Sequence, residues 1–490
     1  MGNVLKMLQP SSLWKYFEEI SSIPHTSHNL SAITEYIISF ANSRNLEYKK
    51  DTIGNIVVRK KAAQGMENRK CVILQAHMDM VGQKNENVCH DFKKDSIKLK
   101  IENGYVTADG TTLGADNGIG LAAILALLDS PDIPHPDIEA LFTVDEETGM
   151  YGVTYMDRTM LNGKIMINTD SEEVDKIFVG CAGGIDFKAH FAYDSGEVVA
   201  PASDMQILKI ELKGLNGGHS GVDIHLGRAN ANLLMFRFLK FMTEGYDARL
   251  CSVCGGDARN AIPREAIAYI AVNRMDTEAV VAEAEQYQTL YRNEYSGIED
   301  GICLNATVVE NSMPMLPFSL QKRLVNAVVA TPDGVERMMP GMTGIVETSS
   351  CLSIVESKEG DISVQILVRS VSASRKYNRI SVLGSLYSLA DAEVEIFGDY
   401  PGWMLSQSSP LLKIAKECYS KRFGNEPETK IMHAGLECGI FSSVYPGVDI
   451  ISIGPDLSFP HSPDERVDIA SVEKFWAFLC DILAGIPDKA

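Results

Sequence analysis

The chain has 490 residues, more than a single hydrophobic core usually organises, so we expect two domains. Hydrophobic residues make up 45% of it and charged residues 22%, the balance of an ordinary globular protein. Asp and Glu number 65 against 45 Lys and Arg, a formal net charge of −20, which argues against nucleic acid or anionic membrane as a partner.

The N-terminal stretch MGNVLKMLQPSSLWKYF has neither the apolar core nor the cleavage site of a signal peptide. Apolar runs elsewhere in the chain stay below the about 20 residues that a membrane span needs. We therefore expect a cytoplasmic protein.

Helix and strand patterns alternate in the first part of the chain. Helical periodicity is followed by apolar strands, then by a glycine turn that leads into a helix apolar on nearly every side, and then by two more apolar strands. These segments are residues 13–22, 30–45, 55–60, 71–77, 112–130, 138–147 and 164–173. Such alternation predicts an α/β fold with a mostly parallel sheet flanked by helices.

The middle of the chain, residues 185–401, has a different pattern. Residues 207–212 (ILKIEL) alternate apolar and polar side chains, as a half-exposed strand does, and residues 351–370 predict a hairpin. Helical segments lie between these strands, so we predict an α+β domain on an antiparallel sheet. Residues 402–490 return to the first pattern, which makes 1–184 and 402–490 one domain and 185–401 an insertion into it.

The ten cysteines show no disulfide framework. Cys251 and Cys254 form a CxxC pair, but no second ligand pair lies at the spacing that a structural zinc site needs. A redox role for this pair stays open.

Acidic and histidine side chains follow the buried strands of the first domain. His77 and Asp79 interrupt an apolar strand two residues apart, so they project from the same face. Ligands of parallel α/β sheets bind at the carboxyl ends of the strands, where these side chains converge. The other members of the set are Asp116, Asp145, Glu146, Glu147, Asp170 and His461.

Each of these residues, taken alone, could also have an ordinary structural role. His77 and Asp79 could form a surface ion pair, and Asp116 could cap a helix. Glu146 and Glu147 could be a solvated strand end, and His461 a loop histidine. Their joint placement after buried strands favours a metal site.

Two histidines and several carboxylates suit zinc or a similar divalent ion. Carboxylates this close would raise each other's pKa without a cation, and a two-metal site needs one bridging carboxylate. Asp116 suits the bridge because glycines flank it. Glu146 and Glu147 are adjacent, so one can bind metal while the other acts as a base. The alternatives at this point are a metal-free carboxylate-pair enzyme such as a glycosidase and a non-catalytic metal-binding protein.

Several motifs carry a family resemblance. In chain order they are LQAHMDMVGQKN, DGTTLGADNGIGLAAILALL, FTVDEETGM, NTDSEE, GGHSG, GGDARNAIPREA, HAGLECGIF and FPHSPDERV. The sequence resembles the bacterial aminoacyl-histidine dipeptidases, also called Xaa-His dipeptidases or carnosinase-like peptidase D. These belong to a larger group of di-zinc exopeptidases that includes aminoacylases and carboxypeptidase G.

The resemblance implies a ligand set. His77 and Asp170 would bind one metal ion, with Asp116 bridging to a second. Glu147 and His461 would complete the shell of that second ion. Zn²⁺ is the expected metal, with Co²⁺ or Mn²⁺ as alternatives, and a cis peptide is expected after Asp116.

The resemblance also implies catalytic roles. Asp79 would orient His77, and Glu146 would be the general base that takes a proton from the attacking water. The implied activity is hydrolysis of Xaa-His and other unblocked dipeptides. The alternative is a related amidohydrolase or tripeptidase acting on N-acyl amino acids or longer peptides.

The inserted domain would serve as a lid and a homodimerisation domain. His219 would help to hold the tetrahedral oxyanion, in relatives often across a subunit boundary. Asn260 and Arg369 match positions that contact the substrate carboxylate, and Gly435 would offer backbone groups to the substrate. The sequence itself also allows an ordinary turn or loop at these positions.

Overall fold

The computed structural model of the protein describes residues 4–310, 312–404 and 409–489. The first three residues of the N-terminal stretch that lacks signal-peptide features lie outside these ranges. The chain divides into two compact units: unit 1 is Met1–Cys181, Trp403–Met432 and Leu436–Ala490, and unit 2 is Ala182–Gly402 with His433–Gly435. These borders lie close to the predicted domain borders, and the roles of the two domains stay predictions.

The helices and strands follow in chain order. The first segment has α1 (Ser11–Ser21), α2 (Ser31–Ser43), β1 (Glu47–Lys50), β2 (Ile56–Lys60), β3 (Val72–His77), β4 (Leu99–Glu102), β5 (Tyr105–Ala108), α3 (Ala115–Asp129), β6 (Ile138–Thr143), α4 (Tyr151–Thr154), β7 (Ile165–Asn168) and β8 (Lys176–Cys181). The middle segment has β9 (Gly183–Ala192), β10 (Met205–Lys213), β11 (Gly218–His219), α5 (Ala231–Gly245), β12 (Arg249–Gly255), β13 (Ala261–Ile262), β14 (Ala266–Asn273), α6 (Thr277–Glu294), β15 (Cys303–Val309), α7 (Phe318–Ala330), β16 (Gly334–Met338), β17 (Val346–Lys358), β18 (Asp361–Ser370), α8 (Ala373–Leu389) and β19 (Glu393–Tyr400). The last segment has β20 (Trp403–Met404), α9 (Pro410–Phe423), β21 (Glu428–Met432), α10 (Glu437–Val444), β22 (Asp449–Ser452), β23 (Leu457–Ser458), β24 (Arg466–Asp468) and α11 (Ile469–Gly485).

The main sheet of unit 1 runs in the order β1-β2-β6-β3-β7-β22-β8-β20, with β21 beside β8. Its central strands β6, β3, β7 and β22 are parallel to one another, whereas β1, β2 and β20 pair antiparallel. The fold is therefore mixed α/β, with parallel pairing at the centre of the sheet and between β21 and β8. The antiparallel strands β1, β2 and β20 depart from the predicted parallel pairing because their short sequences carry no signal of strand direction.

The central strand β3 helps to place the candidate site at one edge of unit 1. All its residues are buried, because its VILQA run is covered on both faces. Helix α3 is likewise buried along nearly its whole length. The carboxyl ends of β3, β6 and β7 lie side by side, so the polar residues that follow these strands share one edge of unit 1.

The main sheet of unit 2 is antiparallel, in the order β15-β10-β14-β12-β17-β18-β9-β19, with β16 beside β17. Helix α5 packs on β14 and β17, and α8 packs on β9 and β18. The α+β architecture agrees with the sequence patterns, although these did not predict α7 or β9. Strand β9 opens with two glycines, which weaken any strand signal.

Two further expectations concern single features. Cys251 and Cys254 are both free thiols on β12, one buried and the other exposed, because residues three apart on a strand face opposite ways. None of the helices within the described ranges is long and apolar enough to cross a membrane.

Candidate metal centre and active site

His77 is the last residue of β3, and a hydrogen bond at one of its two ring nitrogens orients the ring. Its Nδ1 lies 2.9 Å from the backbone carbonyl oxygen of Asp79, which can only accept, so Nδ1 carries a proton and donates it. The other nitrogen, Nε2, lies 3.0 Å from Asp116 Oδ1 and 3.3 Å from Asp170 Oδ1. Such a ring presents Nε2 as a metal ligand.

Asp116 connects His77 to a second histidine. Its Oδ1 faces His77, and its Oδ2 lies 3.1 Å from Nε2 of His461. That same Nε2 is 2.9 Å from Glu147 Oε1. One carboxylate thus divides its two oxygens between two imidazoles, which is the geometry of a bridging ligand.

The predicted ligands form two groups that share Asp116. In each group the ligand atoms lie within 4.8 Å of one another. The groups are His77, Asp116 and Asp170, and Asp116, Glu147 and His461. A third group of the same kind joins His77 and Glu147 to Glu146, so the predicted base lies beside both proposed ion positions. The expected cis peptide between Asp116 and Asn117 is present.

The electrostatics of this cluster suit cations. Burial raises the pKa of Glu147 to about 7, and the nearby Asp116 adds to the shift. Burial also raises the pKa of Glu146 well above the usual glutamate value, and Glu147 and Asp170 add to it against the opposing effect of His77. Burial opposes charge on His461, but Asp116 and Glu147 raise its pKa to about 11. Crowded carboxylates with imidazole nitrogens among them are the donor set that divalent zinc, cobalt or manganese prefers.

Asp79 contacts the site in more ways than the predicted contact with His77. Its carboxylate is 3.5 Å from His77 Nδ1, farther than its own backbone carbonyl. The carboxylate accepts hydrogen bonds from the backbone N–H groups of Glu146 and Glu147, at 3.0 and 3.2 Å, and from the Ser27 hydroxyl at 2.7 Å. Asp79 therefore fixes the turn that carries the base and a ligand, as well as lying against His77.

Glu465 is a supporting residue that the sequence patterns did not single out. Its buried carboxylate accepts four backbone N–H groups in the loop that ends at Asp116: Leu113 and Gly114 on Oε2, and Ala115 and Asp116 on Oε1, at 2.8 to 3.3 Å. Burial raises its pKa to about 7. Glu465 lies four residues after His461 in the FPHSPDERV motif, so it ties the loop of one ligand to that of another. Membership of that motif was the one signal that could have identified it.

His219 and Arg369 come together within unit 2. His219 Nδ1 accepts the backbone N–H groups of Gly221 and Val222, at 3.1 and 2.9 Å, so the neutral ring carries its proton on Nε2. Arg369 Nη2 lies 3.4 Å from this Nε2. Arginine only donates, so the pair presents two donors that suit an anionic oxygen.

Asn260 and Gly435 also belong to unit 2. The backbone carbonyl of Asn260 accepts the N–H of Ser220 at 2.8 Å, which places Asn260 beside His219. Gly435 ends the short His433–Gly435 segment, which is held in unit 2 by a 2.7 Å hydrogen bond between His433 and the Ser349 hydroxyl. Unit 2 thus holds all four residues predicted to act on substrate, and their roles stay predictions.

A paired-histidine, carboxylate-bridged centre at the edge of a mixed α/β sheet defines a metal-dependent hydrolase. The model of peptidase family M20/M25/M40 matches residues 73–485, and the chain belongs to this family and is a peptide-bond hydrolase. The resemblance drawn from the motifs is confirmed.

Individual relatives agree with the family. The chain is 43% identical over 485 residues to the cytosol non-specific dipeptidase of Escherichia coli (strain K12), covering 99% of each chain. It is similar to the crystal structure of aminoacylhistidine dipeptidase from Vibrio alginolyticus, with 41% identity, a TM-score of 0.84 and 99% of each chain covered. A tripeptidase structure from Staphylococcus aureus, at 18% identity, a TM-score of 0.56 and 98% of each chain covered, shares the fold.

Proposed function

We propose that the protein is a two-metal dipeptidase that hydrolyses unblocked dipeptides, Xaa-His among them, in the cytoplasm. The observation that carries the proposal is Asp116, whose two carboxylate oxygens face His77 and His461 at 3.0 and 3.1 Å. Support for the substrate class comes from the two full-length relatives, one named as a non-specific dipeptidase and the other as an aminoacylhistidine dipeptidase. The first relative's name also supports the cytoplasmic location.

The ligands fit two divalent ions, for which we propose Zn²⁺. His77 and Asp170 would hold one ion, Glu147 and His461 the other, and Asp116 both. When bound, the ions polarise the scissile carbonyl and lower the pKa of the attacking water.

The remaining steps belong to side chains. Glu146 takes a proton from the water as its oxygen bonds to the carbonyl carbon, and delivers that proton to the amine that leaves. We assign the Nε2–H of His219 to the developing oxyanion and the Arg369 guanidinium to the substrate carboxylate. Asn260 and Gly435 would hold the rest of the dipeptide.

Removing the metal should abolish hydrolysis. After dialysis against a chelator, we expect the apo protein to lose turnover of an Xaa-His dipeptide, and Zn²⁺, Mn²⁺ or Co²⁺ to restore it at two ions per chain. A panel of Xaa-His and other dipeptides, tripeptides and N-acetyl amino acids should show dipeptides as the fastest substrates. Turnover by metal-free protein, or faster hydrolysis of N-acetyl amino acids or tripeptides, would contradict the proposal.

We also propose a homodimer formed through the inserted domain. Strand β19 lies at an edge of the unit 2 sheet, and β9 is its only strand partner in the ranges that the structure describes. Its apolar side chains are exposed: Val394 by 39%, Ile396 by 50% and Phe397 by 37%. An open, apolar edge strand is a site for pairing with another chain, and a second copy related by a two-fold axis satisfies both edges.

The edge-strand proposal predicts the effect of a single charge. Ile396→Lys should convert a dimer to a monomer in size-exclusion chromatography with light scattering, because the lysine opposes pairing along the edge. Val308→Lys is the matched control, since Val308 is 52% exposed on β15 at the opposite edge of the same sheet. A monomeric wild type, or a dimer that survives Ile396→Lys, would refute this interface.

A further inference from the structure

Glu437 is a buried carboxyl group that the mechanism above does not use. It is the first residue of α10, and it is fully buried. Its Oε2 accepts hydrogen bonds from Gln75 Nε2 at 2.5 Å and from the Thr143 hydroxyl at 2.7 Å. Within the described ranges its Oε1 has no hydrogen-bond partner. Burial raises the pKa of Glu437 to about 8, so the side chain need not carry a charge in the core near neutral pH.

The two donors lie directly behind the proposed active site. Gln75 precedes His77 by two residues on β3 and is fully buried. Thr143 is the last residue of β6, three residues before Glu146, and is also fully buried. One oxygen of Glu437 thus joins the end of the His77 strand to the strand that leads to the base.

The connection continues to a third strand. Gln75 Oε1 accepts a hydrogen bond from Asn168 Nδ2 at 2.5 Å, and Asn168 is the last residue of β7. Asn168 Oδ1 in turn accepts the backbone N–H of Asp170 at 3.2 Å and the Ser452 hydroxyl at 2.5 Å. A relay of side chains from Glu437 through Gln75 and Asn168 therefore ends on the backbone of a proposed metal ligand.

We propose that Glu437 is a positioning residue, which through Gln75 and Asn168 sets the spacing of His77 and Asp170, the ligands of the first ion. The proposal rests on the metal centre of the proposed function. If the carboxyl group is removed, the buried Gln75 amide and Thr143 hydroxyl lose the acceptor that they share, and the cost of leaving buried donors without that acceptor favours movement of the strand ends that carry them. The Asp116, Glu147 and His461 group makes no hydrogen bond to this relay within the described residues, so the first ion should be affected selectively.

The test compares the binding of Co²⁺ alone by apo forms of the full chain. We expect Glu437→Ala to bind one of its two ions about 10–100-fold more weakly, the loss typical of outer partners of metal ligands. The visible absorption of the Co²⁺ form should change, and kcat should fall more than KM rises. Glu437→Gln should restore both ions and the wild-type spectrum, because one amide oxygen can accept from both Gln75 and Thr143.

Two more variants complete the design. Glu473→Ala removes an exposed carboxylate from α11 in the same unit and should bind both ions as wild type does. Gln75→Met keeps a similar volume but cuts the same relay, and should weaken the same ion as Glu437→Ala. This variant decides the question if Glu437→Ala does not fold.

Three results would overturn the proposal: wild-type Co²⁺ affinity and spectrum in Glu437→Ala, the same in Gln75→Met, or a Glu437→Gln variant as weak as the alanine variant. These metal readouts need no substrate. A wild-type protein that bound two ions but failed to hydrolyse dipeptides would contradict the proposed function and leave the relay supported.

Discussion

Glu146→Ala should lower kcat for a dipeptide by about 10²–10⁴-fold, the usual contribution of a general base. The variant should still bind two metal ions per chain and should unfold at about the wild-type temperature. Glu146 lies within 4.8 Å of a ligand atom of both His77 and Glu147, close enough to reach a water at either ion. Its backbone N–H donates a hydrogen bond to the Asp79 carboxylate, so removal of the Glu146 side chain leaves the turn in place.

The pKa of Glu146 gives this prediction a second readout. The carboxylate must be unprotonated to act as a base, so the rate should fall as the pH drops through its pKa. Burial and the neighbouring carboxylates raise that pKa, whereas bound cations oppose the shift. The acid limb of kcat/KM measured for the wild type should therefore be absent from the residual activity of Glu146→Ala.

A control variant at Glu146 distinguishes the role of general base from that of metal ligand. Glu146→Gln keeps the size of the side chain and cannot accept the proton, so it should be as inactive as the alanine variant while holding both ions. Inactivity accompanied by loss of one ion would assign Glu146 as a metal ligand. Turnover near that of the wild type would remove it from the mechanism.

That the proposed metal ligands lie close together could be predicted from the sequence because of their positions after the strands. His77 and Asp170 each follow an apolar strand of the sheet centre, and parallel strands bring their ends to one edge whatever their order. The order of the strands was not predictable, because it depends on packing among segments far apart in the chain. The edge strand β1 and the short strand β20 carry too little pattern to reveal that they pair antiparallel.

Glu437 and Glu465 show what sequence patterns leave out. A glutamate is usually exposed; Glu465 lies among polar residues, whereas Glu437 stands beside the apolar Leu436 and Cys438. Both are buried where distant partners supply hydrogen bonds: Thr143 lies 294 residues before Glu437, and Leu113 lies 352 residues before Glu465. No local periodicity indicates such a long-range partner, so the sequence patterns missed Glu437 and Glu465 although they singled out the proposed ligands.

Glu437 and Glu465 should respond differently to replacement of the carboxylate by an amide. Glu465→Gln should weaken the binding of both metal ions and lower kcat/KM by at least about 10–100-fold, the loss expected when a partner of a metal ligand is removed. Glu465 uses both of its oxygens, two N–H groups on each, whereas glutamine has one acceptor oxygen and an NH₂ group. Two backbone N–H groups of the Asp116 loop would then face a donor. Because we propose Asp116 as the ligand shared by both ions, the binding of both ions should be affected.

The stability of Glu465→Gln should fall as well. Each buried group that loses its partner costs about 1–3 kcal/mol, which urea unfolding of the apo protein would measure as a lower midpoint. Asp464→Asn is the matched control, because it makes the same acid-to-amide change at the neighbouring, exposed position and should alter neither metal binding nor the midpoint. The same acid-to-amide change at Glu437, where one oxygen accepts both hydrogen bonds, should alter neither metal binding nor the urea midpoint. Two bound ions at wild-type affinity in Glu465→Gln would show that the loop carrying Asp116 keeps its shape without this carboxylate.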